Sequence, residues 1–221
     1  MGRLLPSRAV TAESFGDDVP AGEARLFPEE EVAVARSVDK RRREFTTVRV
    51  CARRALAGLG HAPVPLVPGE RGAPSWPAGV AGSMTHCDGY RACAVARDTE
   101  VVSLGIDAEP AGPLPDGVLD SVTLPGEREL LRALAARDAG IHWERLIFSA
   151  KESVYKTWFP LTRRWLGFED AFVELRRDGT FGVELLVPGL EVAGAPVRML
   201  EGRWLSERGV VLTAVACEAP A

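Results

Sequence analysis

The sequence is short of lysine, which occurs only at Lys40, Lys151 and Lys156, although lysine and arginine together number 27. It has three histidines and four cysteines, and neither type is spaced as in a zinc site or a disulfide framework. No apolar run is long enough to span a bilayer, and the first residues lack the apolar core of a secretory signal. These absences favour a cytoplasmic protein with reduced thiols over a secreted disulfide-stabilised domain or a membrane protein.

The overall charge and the length further limit the possible partners and the domain organisation. A formal net charge of −4 argues against a general binder of nucleic acids, and we expect neither nucleic acid nor membrane as a partner. A chain of 221 residues is long enough to bury a substantial core, either as one large domain or as two lobes.

Two of the three lysines lie in one short segment, Phe148–Trp158. If this segment is helical, Glu152 and Lys156 share one face, as do Lys151 and Tyr155. One helical turn then carries a carboxylate, two ammonium groups and a phenol. An ordinary surface ion pair between Glu152 and Lys156 is the alternative, although apolar residues at helical spacing indicate a buried side.

Two further acids end an apolar segment, Val101–Ile106, that is predicted to be a central strand covered on both faces. Pro110 is expected to block further pairing. Side chains alternate along a strand, so Asp107 and Glu109 point to one side and Ala108 to the other. Together with Glu152 these carboxylates form an all-oxygen ligand set of the kind that Mg²⁺ prefers. The alternative is a solvated acidic turn at the end of the strand.

A third group of polar residues, Ser83–Cys87, comes before the turn signal Asp88-Gly89. His86 and Thr85 lie near the predicted strand end and are suitable donors for a polyphosphate. A lone histidine in such a position is more often structural, and that alternative stays open.

The three groups occur in one order along the chain: G-S-M-T-H ending at His86, then G-I-D-A-E ending at Glu109, then F-S-A-K-E-S-V-Y-K-T-W ending at Trp158. In this order and spacing they resemble the motifs of the 4′-phosphopantetheinyl transferases. The resemblance is to the single-chain type that includes enterobactin synthase component D and its actinobacterial relatives, which activates siderophore, polyketide and nonribosomal peptide synthases.

The resemblance implies an α+β fold with pseudo-twofold symmetry and the active site in the cleft between two similar lobes. We expect residues 1–106 to form the N-terminal lobe and residues 107–221 the C-terminal lobe. The implied reaction transfers phosphopantetheine from coenzyme A to a serine of an acyl or peptidyl carrier protein and releases adenosine 3′,5′-bisphosphate. We expect the protein to act as a monomer.

The resemblance also implies roles for the acidic and basic residues. Asp107, Glu109 and Glu152 are expected to hold Mg²⁺, with Mn²⁺ as the alternative ion. Glu152 is the expected general base, with Lys156 orienting it or stabilising charge, and a lysine or a metal-bound water stays open as the alternative base. Lys151 and His86 are expected to donate to the phosphate oxygens.

The coenzyme A site is expected to combine these residues with basic side chains from the N-terminal half. Arg41 and Arg49, on a predicted helix, match residues that bind the 3′-phosphate region in this family. Arg71 is expected to replace a lysine that relatives often have where this chain has Pro68. The full set expected at coenzyme A is Arg41, Arg49, Arg71, Thr85, His86, Asp107, Lys151 and Lys156. A merely solvated arginine face is the alternative for the helix.

The segment 161–168 mixes apolar side chains with two arginines, which suits a docking surface for the carrier protein. A loop that covers the core is the alternative, and Trp165 and Leu166 are also candidates to line the pantetheine channel. Two other functions stay open from the sequence: a Mg²⁺-dependent phosphodiesterase that hydrolyses coenzyme A without an acceptor, and a non-catalytic module that binds carrier protein or RNA.

Hydrophobic periodicity and turn signals predict the elements that carry these motifs. A helix is expected to begin at Pro28, a second to end near Gly58, and a third to end at Pro160. The remaining expected elements are a helix at 127–137 and strands at 80–84, 91–96, 101–106, 171–176, 181–186, 203–205 and 210–216. Asp178-Gly179 is a hairpin turn signal between two of these strands.

Overall fold

The computed structural model describes residues 1–220, which form a mixed α+β fold. The helices are α1 (Pro28–Val34), α2 (Asp39–Gly58), α3 (Val118–Val122), α4 (Pro125–Arg137) and α5 (Trp143–Thr162). The strands are β1 (Val10–Phe15), β2 (Val80–Cys87), β3 (Tyr90–Arg97), β4 (Val101–Pro110), β5 (Ala171–Leu175), β6 (Thr180–Leu185), β7 (Glu191–Val192), β8 (Ala195–Pro196), β9 (Met199–Glu207) and β10 (Val210–Glu218). Among these residues, no helix is both long and apolar enough to cross a membrane.

The strands form two main antiparallel sheets, one with the order β1-β3-β2 and the other with the order β4-β10-β9-β6-β5. Helix α2 packs on the first sheet, and its apolar side from Phe45 to Leu56 is buried there, as its periodicity predicts. Helix α5 packs on β4 and β10 of the second sheet. The predicted apolar stripe of α5 is confirmed, because Leu146, Ile147, Ala150, Val154 and Trp158 are all buried.

Strand β4 differs from the prediction in length and position. We expected a central strand that stops pairing before Pro110, whereas β4 lies at the edge of its sheet and pairs with β10 as far as Pro110. Proline is tolerated on an edge strand because its missing N–H need not face a partner. Asp107 and Glu109 therefore lie within the paired strand, and the expected lobe boundary after residue 106 falls inside β4. We propose that the C-terminal lobe begins with Val101.

The two sheets meet where β2 lies beside β4, and side chains rather than a backbone ladder join these strands. The backbone N–H of Ile106 donates to Ser83 Oγ at 3.2 Å, and that of Ala108 donates to Thr85 Oγ1 at 3.0 Å. We call this contact the β2–β4 seam. It places the predicted motif of β2 directly against the predicted acidic motif of β4.

Helix α5 approaches β4 very closely at Gly105. A Cβ atom at this position would lie 2.0 Å from the carbonyl oxygen of Ser153, so a side chain there would push the helix off the strand. One turn further along, Ser103 Oγ donates to the carbonyl of Thr157 at 2.8 Å. The close packing sets the distance between the side chains that face each other across this contact.

Helix α5 does not end at Pro160 as expected. It continues to Thr162, and Arg163 ends it in the left-handed region with φ of 54°. A proline so close to the C-terminus removes one hydrogen bond without forcing the chain out of the helix, so the prediction of the end was wrong by two residues.

Two helices begin in the same way, each with proline at the first position and glutamate at the third. At α1, buried Glu30 accepts from the backbone N–H of Phe27 and from that of Leu66, both at 2.9 Å, and pairs with Arg53. The glutamate thus ties the helix start to a distant segment and to the long helix that follows.

At α4, buried Glu127 repeats this arrangement. It accepts from the backbone N–H of Leu124 and from that of Val173, both at 2.7 Å, and pairs with Lys151 Nζ at 2.8 Å. The repeat links α4 to β5 and α5, and it supports the expected pseudo-twofold relation between the halves. Sequence inspection alone shows no such repeat.

The remaining predicted strands are confirmed within a few residues, including the hairpin at Asp178-Gly179. Strand β1 and the short pair β7 and β8 are not predicted from the sequence. Strand β1 places small and polar residues between Val10 and Phe15, and it pairs with the edge of β3.

The buried pair between Glu127 and Lys151 generates a stability prediction. We expect Lys151→Met to lower the free energy of unfolding by about 3–5 kcal/mol, because Glu127 then loses its counter-charge inside the protein. Chemical denaturation followed by circular dichroism measures the change. Lys40→Met is the control, because exposed Lys40 pairs only with exposed Asp88 and should change little.

The double variant Glu127→Gln/Lys151→Met should recover part of the loss, since no buried charge then remains unpaired. A single Lys151→Met variant as stable as the parent would contradict a stabilising role for the pair.

Candidate active site

Asp107 is the centre of a buried polar cluster where β2, β4 and α5 meet. Its Oδ1 accepts from Lys156 Nζ at 2.7 Å and from Thr85 Oγ1 at 3.3 Å, and its Oδ2 accepts from Ser149 Oγ at 2.8 Å. Only 5% of Asp107 is exposed, so this carboxylate depends on these donors in place of water. We call Asp107 with these three donors the Asp107 cluster.

The other two predicted carboxylates lie close enough to Asp107 to be affected by its charge. Burial raises the pKa of Glu109, and Asp107 adds to the rise although Arg145 Nη1 lies 3.0 Å from Glu109 Oε2. Burial likewise raises the pKa of Glu152, again with a contribution from Asp107. The charge of Asp107 therefore acts on both of the other carboxylates, one from the same strand and one from α5.

This acidic group suits a divalent cation in its chemistry, because mutual repulsion of carboxylates is relieved by an ion that they share. Within residues 1–220, however, no three His, Cys, Asp or Glu side chains are gathered closely enough to hold an ion in their present positions. Lys156 forms an ion pair with Asp107, and Arg145 forms one with Glu109. Side-chain rotation of these pairs is needed before the ligand set forms, so the metal assignment stays a prediction.

Lys151 lines a small cavity next to Glu152, but in this structure its ammonium group is engaged by other protein groups. Its ammonium group is buried and donates to the carbonyls of Phe168 at 2.6 Å and Ala171 at 3.0 Å, besides pairing with Glu127. These three contacts use all three N–H bonds of the ammonium group. Of the two lysines in the motif, only Lys156 reaches Asp107, and Lys151 instead fixes α5 against α4 and β5.

His86 and Arg41 are brought together, as the resemblance implies. His86 Nε2 contacts an Nη atom of Arg41, and Glu44 lies 3.8 Å from the same ring nitrogen. Burial lowers the pKa of His86, and the charge of Arg41 lowers it further, so the ring is neutral at physiological pH and accepts from the guanidinium. Arg41 itself is exposed.

Arg49 and Thr85 are both less available to a ligand than expected. Arg49 is buried, donates through Nε and Nη2 to the carbonyl of Leu66 at 3.3 and 3.0 Å, and lies over the ring of Phe45 at 3.5 Å. Burial lowers its pKa to about 10, so it stays charged at neutral pH. The hydroxyl of Thr85 is used in the β2–β4 seam and the Asp107 cluster, so these two residues hold the site together in this structure.

A cavity of about 650 Å³ opens beside the cluster, with Glu152 and Lys156 in its wall. This volume is in the range of small-molecule sites. Arg71 lines the opposite side, in a left-handed backbone conformation with φ of 53°, and its guanidinium lies 5.1 Å from the ring centre of Trp165. We call this cavity the cleft. The structure thus brings Arg71 to the same space as the catalytic candidates.

An adjoining cavity of about 200 Å³ shares Arg71, Glu152 and Tyr155 with the cleft, and it is also lined by Leu166. Tyr155 stands between Phe159 and Trp165, with ring centres 5.7 and 5.1 Å away. In the described chain its hydroxyl is buried without a hydrogen-bond partner. A buried unpaired hydroxyl is unfavourable, so this group is suited to bind a polar atom of a ligand.

The predicted docking segment 161–168 divides into two parts. Trp165 is 59% exposed and Arg163 lines the cleft, whereas Leu166 is buried. Leu166 thus covers the core, as one of the sequence alternatives expects, and Trp165 lies at the surface, where docking stays a prediction.

Sequence reasoning missed Arg145 and Ser149, which contact Glu109 and Asp107 from α5. Their spacing contained the signal, because residues 145, 149, 152 and 156 recur at helical intervals on the side that faces β4. Tyr155 is predicted from the sequence as a phenol on this helix. Its place in the candidate site follows only from the two cavities that it lines.

Comparison with known proteins identifies the family. The model of the 4′-phosphopantetheinyl transferase N-terminal domain matches residues 29–96, and that of the 4′-phosphopantetheinyl transferase superfamily matches residues 103–196. 4′-Phosphopantetheinyl transferase Svp of Streptomyces mobaraensis is 58% identical over 219 residues, which cover 99% of this chain and 89% of that protein.

4′-Phosphopantetheinyl transferase Npt of Nocardia iowensis is 50% identical and covers 96% of this chain and 97% of its own length. Enterobactin synthase component D of Escherichia coli (strain K12) is 34% identical over 122 residues, covering 53% of this chain and 54% of its own. With both family models matched and two full-length relatives at 50% identity or more, the chain belongs to the 4′-phosphopantetheinyl transferase superfamily and is an enzyme of this type.

Proposed function

We propose that this enzyme transfers the phosphopantetheine arm of coenzyme A to a serine of an acyl or peptidyl carrier protein in the cytoplasm. The serine Oγ forms a bond to the phosphorus that bears the pantetheine, and the bond from that phosphorus to the bridging oxygen breaks. Adenosine 3′,5′-bisphosphate leaves with that oxygen. The observation that carries the proposal is the Asp107 cluster at the side of a cleft large enough for the substrate.

We propose that Asp107, Glu109 and Glu152 bind Mg²⁺, or Mn²⁺ in its place, through their carboxylate oxygens. When bound, such an ion supplies positive charge to the pyrophosphate oxygens and stabilises the leaving group. Arg145 then releases Glu109 and keeps its contact with the loop after β4, where it already donates to the carbonyl of Gly112 at 3.2 Å.

Glu152 is the proposed general base for the serine hydroxyl. Its raised pKa makes it a better proton acceptor than an exposed carboxylate, and it lies in the wall of the cleft. Lys156 is proposed to turn from Asp107 to the phosphate oxygens of the substrate, where its positive charge stabilises negative charge.

For the nucleotide end of coenzyme A, exposed Arg41 is the proposed phosphate contact, with His86 orienting its guanidinium. Arg71 is proposed to take the place of a basic residue at Pro68, because it lines the cleft while Pro68 has no charge to offer. Arg49 is proposed to support this site indirectly, through its hydrogen bond to the carbonyl group of Leu66.

The carrier protein is proposed to dock at exposed Trp165 and Arg163 beside the cleft. An aromatic and a guanidinium group suit a partner surface that is apolar and acidic. The proposed assembly state of the enzyme is a monomer.

The first prediction tests the reaction. Incubation of an apo carrier protein with the enzyme, coenzyme A and Mg²⁺ should raise the mass of the carrier by one phosphopantetheine, as measured by mass spectrometry. A carrier whose acceptor serine is replaced by alanine is the control. Breakdown of coenzyme A with no gain of mass across several carriers would instead indicate a phosphodiesterase.

The second prediction tests the metal site. We expect Asp107→Asn to lower kcat/KM by roughly 100-fold or more, because a neutral amide removes a charge that positions the reacting groups. Titration calorimetry with Mg²⁺ and coenzyme A should show weakened metal binding as a readout separate from activity. The matched control is Glu174→Gln, an exposed acid on β5. Unchanged metal binding in Asp107→Asn would remove this residue from the ligand set.

The third prediction concerns the unpaired hydroxyl in the cleft. Tyr155→Phe should raise the KM for coenzyme A about tenfold and change kcat less, because the hydroxyl contributes one hydrogen bond to the bound substrate. Tyr90→Phe is the control, since Tyr90 donates to Glu13 at 2.6 Å, away from the cleft. If the two variants have the same KM as the parent, Tyr155 does not bind the substrate.

A further inference from the structure

A separate cavity of about 420 Å³ lies on the outer side of α2, against the segment that leads into α1. Its apolar walls come from Leu26, Phe27, Val50, Ala57 and Pro63. None of its lining residues lines the cleft or the smaller cavity beside the cleft. The transferase reaction therefore gives this cavity no role.

The charged groups at the cavity are mainly guanidinium groups. Arg25, Arg53 and Arg54 line it, against the single carboxylate of Glu23, which pairs with Arg54 Nε at 2.7 Å. Arg25 is exposed, and within the described residues its guanidinium forms neither a salt bridge nor a hydrogen bond. Because Arg53 pairs with buried Glu30 and Arg54 with Glu23, the excess positive charge at the cavity is that of Arg25.

Arg53, which lines this cavity, has one N–H donor without an acceptor. Its two terminal nitrogens are engaged, one by Glu30 and the other by the carbonyl of Arg25 at 2.9 Å. Its Nε is buried and has no hydrogen-bond acceptor within residues 1–220. A buried donor without an acceptor is unfavourable, and a ligand oxygen bound against Arg53 would supply the acceptor.

We propose that this cavity is a second ligand site, which takes a small molecule with an apolar body and one carboxylate. The apolar walls match the body, and the unpaired Nε–H of Arg53 with the unpaired guanidinium of Arg25 matches one carboxylate. A polyphosphate fits less well, because most of the lining is apolar and because Arg53 and Arg54 already pair with Glu30 and Glu23. The site is distinct from the coenzyme A site and does not depend on the proposed reaction.

Titration calorimetry of the whole chain with 4-phenylbutyrate tests the proposal, with 4-phenylbutanamide as the uncharged probe. We expect saturable one-to-one binding of the carboxylate that persists with saturating coenzyme A. The amide should bind at least about tenfold more weakly, the effect of losing a charge-assisted hydrogen bond. No saturable binding, equal binding of acid and amide, or displacement by coenzyme A would each overturn the proposal.

A cavity-filling variant locates the probe. Ala57 lies on the exposed side of α2 and lines the cavity, so Ala57→Phe should abolish binding of 4-phenylbutyrate without disturbing the core. Ala136→Phe, at an exposed position of α4, adds the same ring elsewhere and should bind like the parent. Circular dichroism checks that both variants are folded. Binding to Ala57→Phe with parental affinity would place the probe elsewhere and overturn the proposal.

Discussion

The negative charge of Asp107 is buried where the two halves of the molecule meet, and donors from both halves hold it. Thr85 reaches it from the first sheet, while Ser149 and Lys156 reach it from α5. A buried carboxylate without these donors would be strongly unfavourable. The packing of α5 on β4 and the packing of β2 on β4 are therefore linked through the side chain of Asp107. Gly105 permits the close approach on which these distances depend.

The motifs predicted the relative positions of those candidate residues that lie close together in sequence. Asp107 and Glu109 alternate with Ala108 as a strand requires, and the carboxylate and the ammonium group of α5 lie where helical spacing puts them. The two lysines of the motif nevertheless have different contacts in this structure. The sequence cannot distinguish them, because the partner that captures Lys151 is Glu127, on a different helix.

The fold was predictable to a similar degree and for the same reason. Apolar periodicity identified the long helices, and proline followed by acids marked the start of α1. Pairing of β4 as far as Pro110 was not predictable, because it depends on which strand lies beside it. The matching roles of Glu30 and Glu127 were also hidden, since each becomes visible only through backbone N–H groups far away in sequence. Interactions between residues close in sequence determine the helices and strands. Contacts between residues far apart in sequence determine which charged groups become buried.

The β2–β4 seam has a mechanical consequence. Neighbouring strands within either sheet are joined by a ladder of backbone hydrogen bonds, but here Ser83 and Thr85 provide the bridges. Rotation of a hydroxyl about its Cα–Cβ bond costs far less than shifting the register of a ladder. The two sheets are therefore joined along this line by side-chain bridges in place of a backbone ladder, at a place where residues of both β2 and β4 line the cleft.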